Sequence, residues 1–365
     1  MKKYFKSVSD KIKLPVFFPD ATRGVIKTLD TKDIESAKTP GILVNTYHLY
    51  RELGEEAIQN HHGIKGFMRW KGAVISDSGG FQVMTLAKTN HGGKVTDEGV
   101  TFWQEEGGIL LTPEKSIEFQ MILRSDMVVV LDDFTQPQAT YEQARESVER
   151  TVLWAKRSKE TFSKLCQKKK IPEIKRPYIL GVVHGGDYLD LRQECTQRLV
   201  EIGFDGLGYG GWPIMADGQF NYDVAKIIAQ NAPNNYFLYG LGVGKPHEIV
   251  NCVKLGYSIF DCVLPTRDAR HKRLYIYNAN SIDDIDLNQK KFYSYYTPDK
   301  MIYRKKDVPI SHACDCLLCQ NYSRAYLAHL FKIKELTAMR LSTIHNLRFY
   351  SILMEKLQTD SFKKT

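Results

Sequence analysis

The sequence predicts an α/β fold, a (β/α)8 TIM barrel with a C-terminal zinc-binding subdomain. Seven short apolar runs recur along the chain, helical stretches separate them, and three cysteines crowd together near the C-terminus. The runs span residues 41–46, 72–80, 126–133, 178–186, 204–211, 237–244 and 257–267. An eighth strand is expected near residues 15–18, because a barrel of this type needs eight.

Continuous runs of Val, Ile and Leu are typical of strands that are covered on both faces, as in parallel sheets. Residues 141–165 and 190–202 are the clearest helical stretches between the runs. A doubly wound open sheet is the alternative, but only a barrel gathers so many strand ends around one mouth. We therefore expect the polar residues that end the runs to meet there: Asp77, Asp132, Asp133, His184, Gly210, Gly211 and Asp261.

The alternation of strands and helices stops beyond Arg273. Residues 274–313 look irregular, and residues 314–352 read as a cysteine-rich turn followed by helix. This pattern predicts two units. Residues 1–273 form a barrel that carries the catalytic site, and residues 274–365 form a zinc-binding lobe with C-terminal helices packed on the barrel.

The spacing of the clustered cysteines indicates a metal site. Cys314, Cys316 and Cys319 come from one short turn, and a helical stretch over residues 323–340 returns the chain so that His345 supplies a fourth ligand. Four nitrogen and sulfur ligands satisfy tetrahedral Zn²⁺ and leave no open position, which is typical of a structural site. Free core thiols explain three such closely spaced cysteines poorly. Two nearby histidines compete for the fourth position, His312 and His329.

Composition limits the class of partner and the compartment. The chain has 51 Lys and Arg against 42 Asp and Glu, a formal net charge of +9, which favours nucleic acid as a partner before a membrane surface. Residues 1–18 contain lysines but no apolar stretch long enough for a signal peptide or a membrane span. We therefore expect a cytoplasmic protein that does not enter a membrane and has no disulfide framework.

Two aspartates are candidate catalytic residues. Asp77 lies beside a serine and paired glycines in residues 76–82, which suits a general acid or base, although an Asx-type turn that caps the next helix is an equal alternative. Asp261 ends an apolar run and precedes the basic residues of 267–273. Such a carboxylate can attack an anomeric carbon while cations hold neighbouring phosphates. A structural salt bridge in a solvated basic loop is the alternative for Asp261.

Five motifs, in order from about residue 45 to residue 350, resemble the tRNA-guanine transglycosylase family. They are SDSGGFQ (76–82), LGVGKP (241–246), FDCVLPTRDAR (260–270), CDCLLCQNYSRAYLAHL (314–330) and TIHNLRFY (343–350). The resemblance implies a zinc-containing enzyme that replaces guanine at the wobble position of tRNA by a 7-deazaguanine base. It also implies a homodimer, to which the helical face of Tyr322, Tyr326 and His329 would contribute.

The resemblance assigns roles to individual residues. Asp261 would attack C1′ of the target guanosine and form a covalent ester, and Asp77 would protonate the leaving base and deprotonate the incoming one. The residues implied to bind the base are Ser78, Phe81, Asp132, His184, Gly210, Gly211 and Leu241. Phe81 and Leu241 would enclose the purine ring between them, and Asp132 would accept from its N–H edge. The residues implied to lie against the tRNA backbone are Arg267, Arg270 and Lys272.

Three positions depart from the family pattern. His184 stands where Gln is usual, so that it would donate one hydrogen bond to a purine oxygen. Phe134 replaces the Cys of bacterial members, and Ala216 replaces a Glu that those members use to bind the aminomethyl group of preQ1. Because the acceptor for a cationic substituent is missing, we expect a bulkier base, queuine rather than preQ1. Trp212 or Phe134 would then line the enlarged side of the pocket.

Three other functions fit these residues less well. A tRNA-binding accessory subunit of the same family should have lost a catalytic aspartate, but Asp77 and Asp261 are both present. An archaeal-type enzyme that acts on the D-arm would carry further RNA-binding domains after the zinc histidine. A glycosidase on a similar barrel explains neither the cysteine cluster nor the basic excess. We therefore expect an enzyme that acts on tRNA and a 7-deazaguanine base.

Overall fold

The computed structural model describes residues 2–7, 11–80, 93–104, 107–298 and 305–359. The strands in these segments are β1 (Tyr4–Lys6), β2 (Lys11–Lys13), β3 (Val16–Pro19), β4 (Gly41–Asn45), β5 (Ala73–Asp77), β6 (Lys94–Thr96), β7 (Gly99–Gln104), β8 (Gly107–Leu111), β9 (Met127–Val129), β10 (Tyr178–Val183), β11 (Gly206–Tyr209), β12 (Phe237–Gly240), β13 (Ile259–Cys262), β14 (Leu274–Tyr277) and β15 (Tyr293–Tyr296).

The α-helices in the same segments are α1 (Thr31–Ser36), α2 (Thr46–Asn60), α3 (Ile64–Met68), α4 (Pro113–Leu123), α5 (Tyr141–Lys168), α6 (Leu189–Ile202), α7 (Tyr222–Asn231), α8 (Pro246–Lys254), α9 (Leu264–Arg270), α10 (Leu317–Asn321), α11 (Arg324–Lys332) and α12 (Leu336–Leu357). The helices expected over residues 141–165 and 190–202 are confirmed as α5 and α6. None of the helices in the described segments is both long enough and apolar enough to cross a membrane.

Eight parallel strands form the predicted barrel. Their order is β3, β13, β12, β11, β10, β9, β5 and β4. A parallel bridge between Asp20 and Leu43 joins the two outer strands and nearly closes the barrel. All eight strands coincide with the expected runs, including β3 near residues 15–18, so the predicted fold class is confirmed.

The barrel interior is filled by side chains, and its amino-terminal end is covered. Phe5 of the β1–β2 hairpin is fully buried, and its ring centroid lies 5.7 Å from that of Phe18 and 6.0 Å from that of Phe237. Large apolar side chains from alternate strands fill the layers above it, as in other barrels of this type. A substrate therefore has access only from the carboxyl ends of the strands.

The C-terminal part departs from expectation in two places. Residues 274–313 contain the antiparallel hairpin β14–β15, so the prediction of irregular structure is wrong there. Its strands are short and tyrosine-rich, yet Tyr275 and Tyr296 are buried in the main core. The single helix expected over residues 323–340 is also wrong, because α11 ends at Lys332 and a new helix begins at Leu336.

The break between α11 and α12 has a local cause. Lys334 adopts a left-handed φ of 59°, and the side chain of Glu335 caps α12 by accepting a hydrogen bond from the N–H of Thr337.

A small antiparallel sheet, β6–β8, was not predicted and lies in the chain between β5 and α4. The division into two domains at Arg273 stays a prediction. Helix α12, from the predicted C-terminal lobe, packs against β3 and α9 of the barrel as well as against β14.

Candidate active site

The polar residues that end the apolar runs lie at one mouth of the barrel. Asp77 is the last residue of β5, and Asp261 is the third of the four residues in β13. His184, Gly210 and Leu241 each follow directly after a strand, namely β10, β11 and β12. Because parallel strands all point the same way, these side chains meet at the carboxyl end. Phe81, the expected stacking residue, lies outside the described residues.

Asp77 is held by donors from the neighbouring strand end. The Asn45 side-chain amide donates to Oδ2 of Asp77 at 3.0 Å, and the N–H of Gly79 donates to Oδ1 at 2.9 Å. Burial raises the pKa of the Asp77 carboxyl to about 7, and the negative charge of Asp261 adds to the rise. A carboxyl group with this pKa can both give and accept a proton near neutral pH.

Asp261 is buried, with 8% of its surface exposed. The N–H of Gly242 donates to its Oδ1 at 3.0 Å, which fixes the carboxylate at the end of β13. Burial raises the pKa of Asp261 to about 6, while the hydrogen bond from the N–H of Gly242 opposes the rise. Near neutral pH this group is therefore mostly ionised, as a nucleophile must be.

Asp132 and His184 form a close pair between the ends of β9 and β10. His184 Nε2 lies 2.7 Å from Oδ2 of Asp132, and the Ser78 hydroxyl lies 3.4 Å from Oδ1. The N–H of Thr135 donates to the other ring nitrogen, Nδ1, at 3.3 Å. The structure thus brings three of the expected base-binding residues into contact with one another.

Two glycines are required by close packing around these groups. A Cβ on Gly210 would lie 2.6 Å from His184 Nε2 and 2.5 Å from Cγ1 of Val182. Gly79, whose φ is +76°, would place a Cβ 2.6 Å from Cβ of Tyr47. Any larger residue would push the ring of His184 or the turn after Asp77 out of position.

A buried arginine supports the same strand ends and was missed from the sequence. Arg192 of α6 is 1% exposed, and its Nη1 donates to the carbonyl oxygens of Val183 at 2.6 Å and of Gly210 at 2.9 Å. Its Nε donates to the carbonyl oxygen of Gly186 at 2.7 Å. The sequence feature that could have indicated this buried arginine is its position beside Leu191 on the apolar face of a predicted helix. Arg192 therefore fixes the backbone on both sides of His184.

Helix α12 anchors the two loops that flank Asp261. The Tyr350 hydroxyl donates to the carbonyl oxygen of Gly244, after β12, at 2.5 Å. The Asn346 side-chain amide donates to the carbonyl oxygen of Pro265, after β13, at 2.9 Å. Both anchors belong to the motif that also contains His345, so one helix joins the cysteine cluster to the loops around Asp261.

The cysteine cluster has the composition and size of a tetrahedral metal site. Ligand atoms of Cys314, Cys316, Cys319 and His345 all lie within 4.8 Å of one another, and they could hold a metal ion. His345 Nδ1 lies 3.2 to 3.7 Å from the three sulfur atoms, close to the roughly 3.5 Å that zinc–sulfur and zinc–nitrogen bonds of about 2.3 and 2.0 Å impose. His345 Nε2 donates to the carbonyl oxygen of Tyr275 at 2.8 Å, which leaves Nδ1 as the lone-pair ligand.

The basic residues that follow Asp261 lie on and after α9. The side chain of Arg267 is half-exposed at 52%, whereas that of Arg270 donates to the carbonyl oxygen of Thr266 at 2.8 Å. Lys272 Nζ lies 5.9 Å from the centroid of the Phe331 ring. These residues place positive charge just after the strand that carries the nucleophile candidate.

Comparison with known proteins identifies the family. A family model described as Queuine tRNA-ribosyltransferase matches residues 5–360. The queuine tRNA-ribosyltransferase of Actinobacillus pleuropneumoniae serotype 3 is 37% identical over 350 residues, which cover 95% of this chain and 85% of the relative. The protein of that name from Shewanella putrefaciens is 38% identical over 353 residues, covering 95% and 86%. The resemblance seen in the five motifs is confirmed, and the chain belongs to the queuine tRNA-ribosyltransferase family.

Proposed function

We propose that this protein is a tRNA-guanine transglycosylase, which exchanges guanine at the wobble position of tRNA for a 7-deazaguanine base. The observation that carries the proposal is the pair of buried aspartates, Asp77 and Asp261, at one barrel mouth with pKa values near neutrality. Retention of both carboxyl groups argues for catalysis and against an accessory subunit. A tRNA substrate also implies action in the cytoplasm.

The chemistry would proceed in two displacements at the same ribose carbon. An ionised oxygen of Asp261 attacks C1′ of the target nucleotide, the bond from C1′ to guanine breaks, and Asp77 gives its proton to the leaving base. The incoming base then loses a proton to Asp77 and attacks C1′, which releases the carboxylate of Asp261. The two aspartates return to their starting states, so that no other reactant is consumed.

The target base must leave the stack of the anticodon loop before it reaches Asp261. Phe81 and Leu241 would enclose the purine ring, while Ser78, Asp132, His184, Gly210 and Gly211 surround its edges. Arg267, Arg270 and Lys272 would hold the neighbouring phosphates, which gives affinity without reading sequence. A homodimer is part of the proposal, and the exposed Tyr322 and Tyr326 rings, stacked at 5.1 Å, offer an apolar contact for it.

For the incoming base we propose queuine in preference to preQ1. Ala216 cannot accept a hydrogen bond from the cationic aminomethyl group of preQ1 through its side chain. A cleft of about 430 Å³ is lined by Trp212, Ile214, Met215 and Ala216 together with Arg192 and residues 135–139 and 186–188. Its volume would accommodate a larger substituent on the 7-position of the base.

We propose structural Zn²⁺ as the ion at the cysteine cluster. Three sulfur ligands and one imidazole nitrogen complete a tetrahedral sphere, so no position is left for a substrate. Bound zinc would contribute folding free energy to the C-terminal part. Through Asn346 and Tyr350 on the same helix as His345, that stability would reach the loops around Asp261.

The test is incorporation of radiolabelled guanine into tRNA that carries guanine at the wobble position. The wild-type protein should incorporate label, and Asp261→Asn should incorporate none above background. Asp284→Asn, which removes an exposed carboxylate that accepts from Ser281 in the segment after β14, serves as the control and should stay active. Absence of incorporation by the wild-type protein would contradict the proposal. Displacement of the label by preQ1 far more efficiently than by queuine would contradict the base assignment alone.

A further inference from the structure

We propose that His184 is a positioning residue for Asp132, whose carboxylate it holds towards the N–H edge of the purine by donating from Nε2. The inference rests on the proposed function, because it assigns Asp132 to recognition of the base. It replaces the role expected from the sequence, in which His184 donates to a purine oxygen.

The hydrogen bonds of the ring determine its tautomer. A backbone N–H can only donate, so the N–H of Thr135, at 3.3 Å, requires His184 Nδ1 to be an acceptor. The Thr135 hydroxyl also lies 3.3 Å from Nδ1 and can donate to the same lone pair. In a neutral imidazole the proton then sits on Nε2, which lies 2.7 Å from Oδ2 of Asp132. The single ring N–H is therefore used by the carboxylate and is not available to a base.

The ring has little freedom to take another position. His184 is fully buried, and its own N–H donates to Sγ of Cys195 at 3.4 Å. Gly210 supports the ring from one side, since a Cβ there would lie 2.6 Å from Nε2. Arg192 holds the carbonyl oxygens of Val183 and Gly210 on both sides. The donor is thus preorganised before any base arrives.

Fixing one oxygen orients the whole carboxylate of Asp132. With Oδ2 held by His184, Oδ1 is the other oxygen and accepts from the hydroxyl of Ser78 at 3.4 Å. The adjacent carboxylate of Asp133 does not compete for this histidine, because it pairs with Arg150. A charge-assisted hydrogen bond of this kind contributes both energy and direction, so its loss should weaken the purine edge contact.

Two substitutions of His184 distinguish the effect of the Nε2 hydrogen-bond donor from the effect of the rest of the imidazole ring. The amide nitrogen of glutamine reaches about as far as Nε2, whereas the amide of asparagine ends near the position of Nδ1. His184→Gln should therefore keep the hydrogen bond to Asp132, and His184→Asn should lose it. We expect His184→Asn to raise the KM for guanine by about 10- to 100-fold, with kcat within about threefold of wild type, as for loss of a charged hydrogen bond.

Discrimination against hypoxanthine, which lacks the 2-amino group of guanine, provides the readout that a structural role would not change. His184→Asn should lose preference for guanine, and His184→Gln should retain it. Ser147→Ala is the matched control, because it alters the same buried cluster through a hydroxyl that contacts Thr135 and the carbonyl oxygen of Asp133. Equal behaviour of the Gln and Asn variants, or a loss of preference in Ser147→Ala as large as in His184→Asn, would overturn the proposal.

The tautomer can be measured in the wild-type protein without any variant. Nitrogen-15 spectra of the histidine rings, with His184 assigned by its contact to the Thr135 amide proton, should show a protonated Nε2 and a bare Nδ1. A proton on Nδ1 overturns the proposal. A wild-type protein that incorporates no guanine contradicts the proposed function instead, while the spectrum still decides the orientation of His184.

Discussion

Asp77 and Asp261 lie near the carboxyl ends of β5 and β13, two strands that β3 and β4 separate, and the charge on Asp261 adds to the raised pKa of Asp77. Burial is the larger cause of the raised pKa of each group. The result is two carboxyl groups with different proton affinities, about 7 for Asp77 and about 6 for Asp261. This order of proton affinities agrees with the proposed roles, in which Asp77 is the acid and Asp261 the nucleophile.

The rate of base exchange should depend on pH through both groups. Below pH 6 Asp261 is protonated and cannot attack, and above pH 7 Asp77 has lost the proton that the leaving base needs. The profile of kcat/KM for tRNA should therefore rise and fall around two apparent pKa values near 6 and 7. A profile that stays level from pH 7 to pH 9 would exclude Asp77 as the acid.

The raised pKa of Asp77 should cost stability at neutral pH. Its folded-state pKa of about 7 exceeds the ordinary value of 3.8, so the folded protein binds a proton that the unfolded chain has already released. Stability therefore falls as the pH rises towards 7. The side chain in Asp77→Asn cannot titrate. Between pH 5 and pH 8 the unfolding free energy should therefore fall by about 2–3 kcal/mol more in the wild-type protein than in Asp77→Asn. Urea unfolding at both pH values measures this, and equal losses would contradict the assigned pKa.

Removal of a zinc ligand should unfold the C-terminal part first. Cys316→Ser should lower bound zinc from about one to near zero per chain and lower the melting midpoint by several degrees. Exchange activity should fall with it, because α12 carries His345 together with the anchors Asn346 and Tyr350. Cys166→Ser, at a buried thiol outside the cluster, is the control and should keep its zinc. Metal analysis that finds zinc retained in Cys316→Ser would contradict the site.

Restoring the missing carboxylate should change the preferred base. Ala216→Glu should increase the ratio of kcat/KM for preQ1 to that for queuine by about tenfold or more, the effect of one charge-assisted hydrogen bond. Ala216→Gln has the same shape without the charge and should change the ratio much less. The ratios come from competition of each base with labelled guanine. A similar change in both variants would show that size, and not charge, governs the choice.

Much of the fold, and the meeting of Asp77 and Asp261 at one barrel mouth, could be predicted because both depend on local pattern. The continuous apolar runs predicted the barrel strands. Because the carboxyl ends of all barrel strands lie at the same mouth, the polar residues at those ends, Asp77 and Asp261 among them, were expected to lie together. The anchors Asn346 and Tyr350 could not be found this way, since their partners Pro265 and Gly244 are 81 and 106 residues away in the chain. The role of Arg192 could not be predicted either, because the pattern of an amphipathic helix does not indicate that a buried arginine will bind carbonyl oxygens of other segments.

The pairing of His184 with Asp132 could be predicted only in part. Both residues follow adjacent strands, β10 and β9, so their proximity was predictable. The direction of the hydrogen bond was not, because it depends on the Thr135 amide. The β14–β15 hairpin was missed because its tyrosines are buried by the distant helix α12, against which β14 packs.

Trapping of a covalent enzyme–tRNA complex tests the central claim most directly. The wild-type protein, mixed with tRNA and a limiting supply of base, should give a band on a denaturing gel that contains both protein and RNA. Addition of excess guanine should release the tRNA from this band, and Asp261→Asn should give no band. A band of equal intensity from Asp261→Asn would show that another residue attacks the ribose, and would contradict the account.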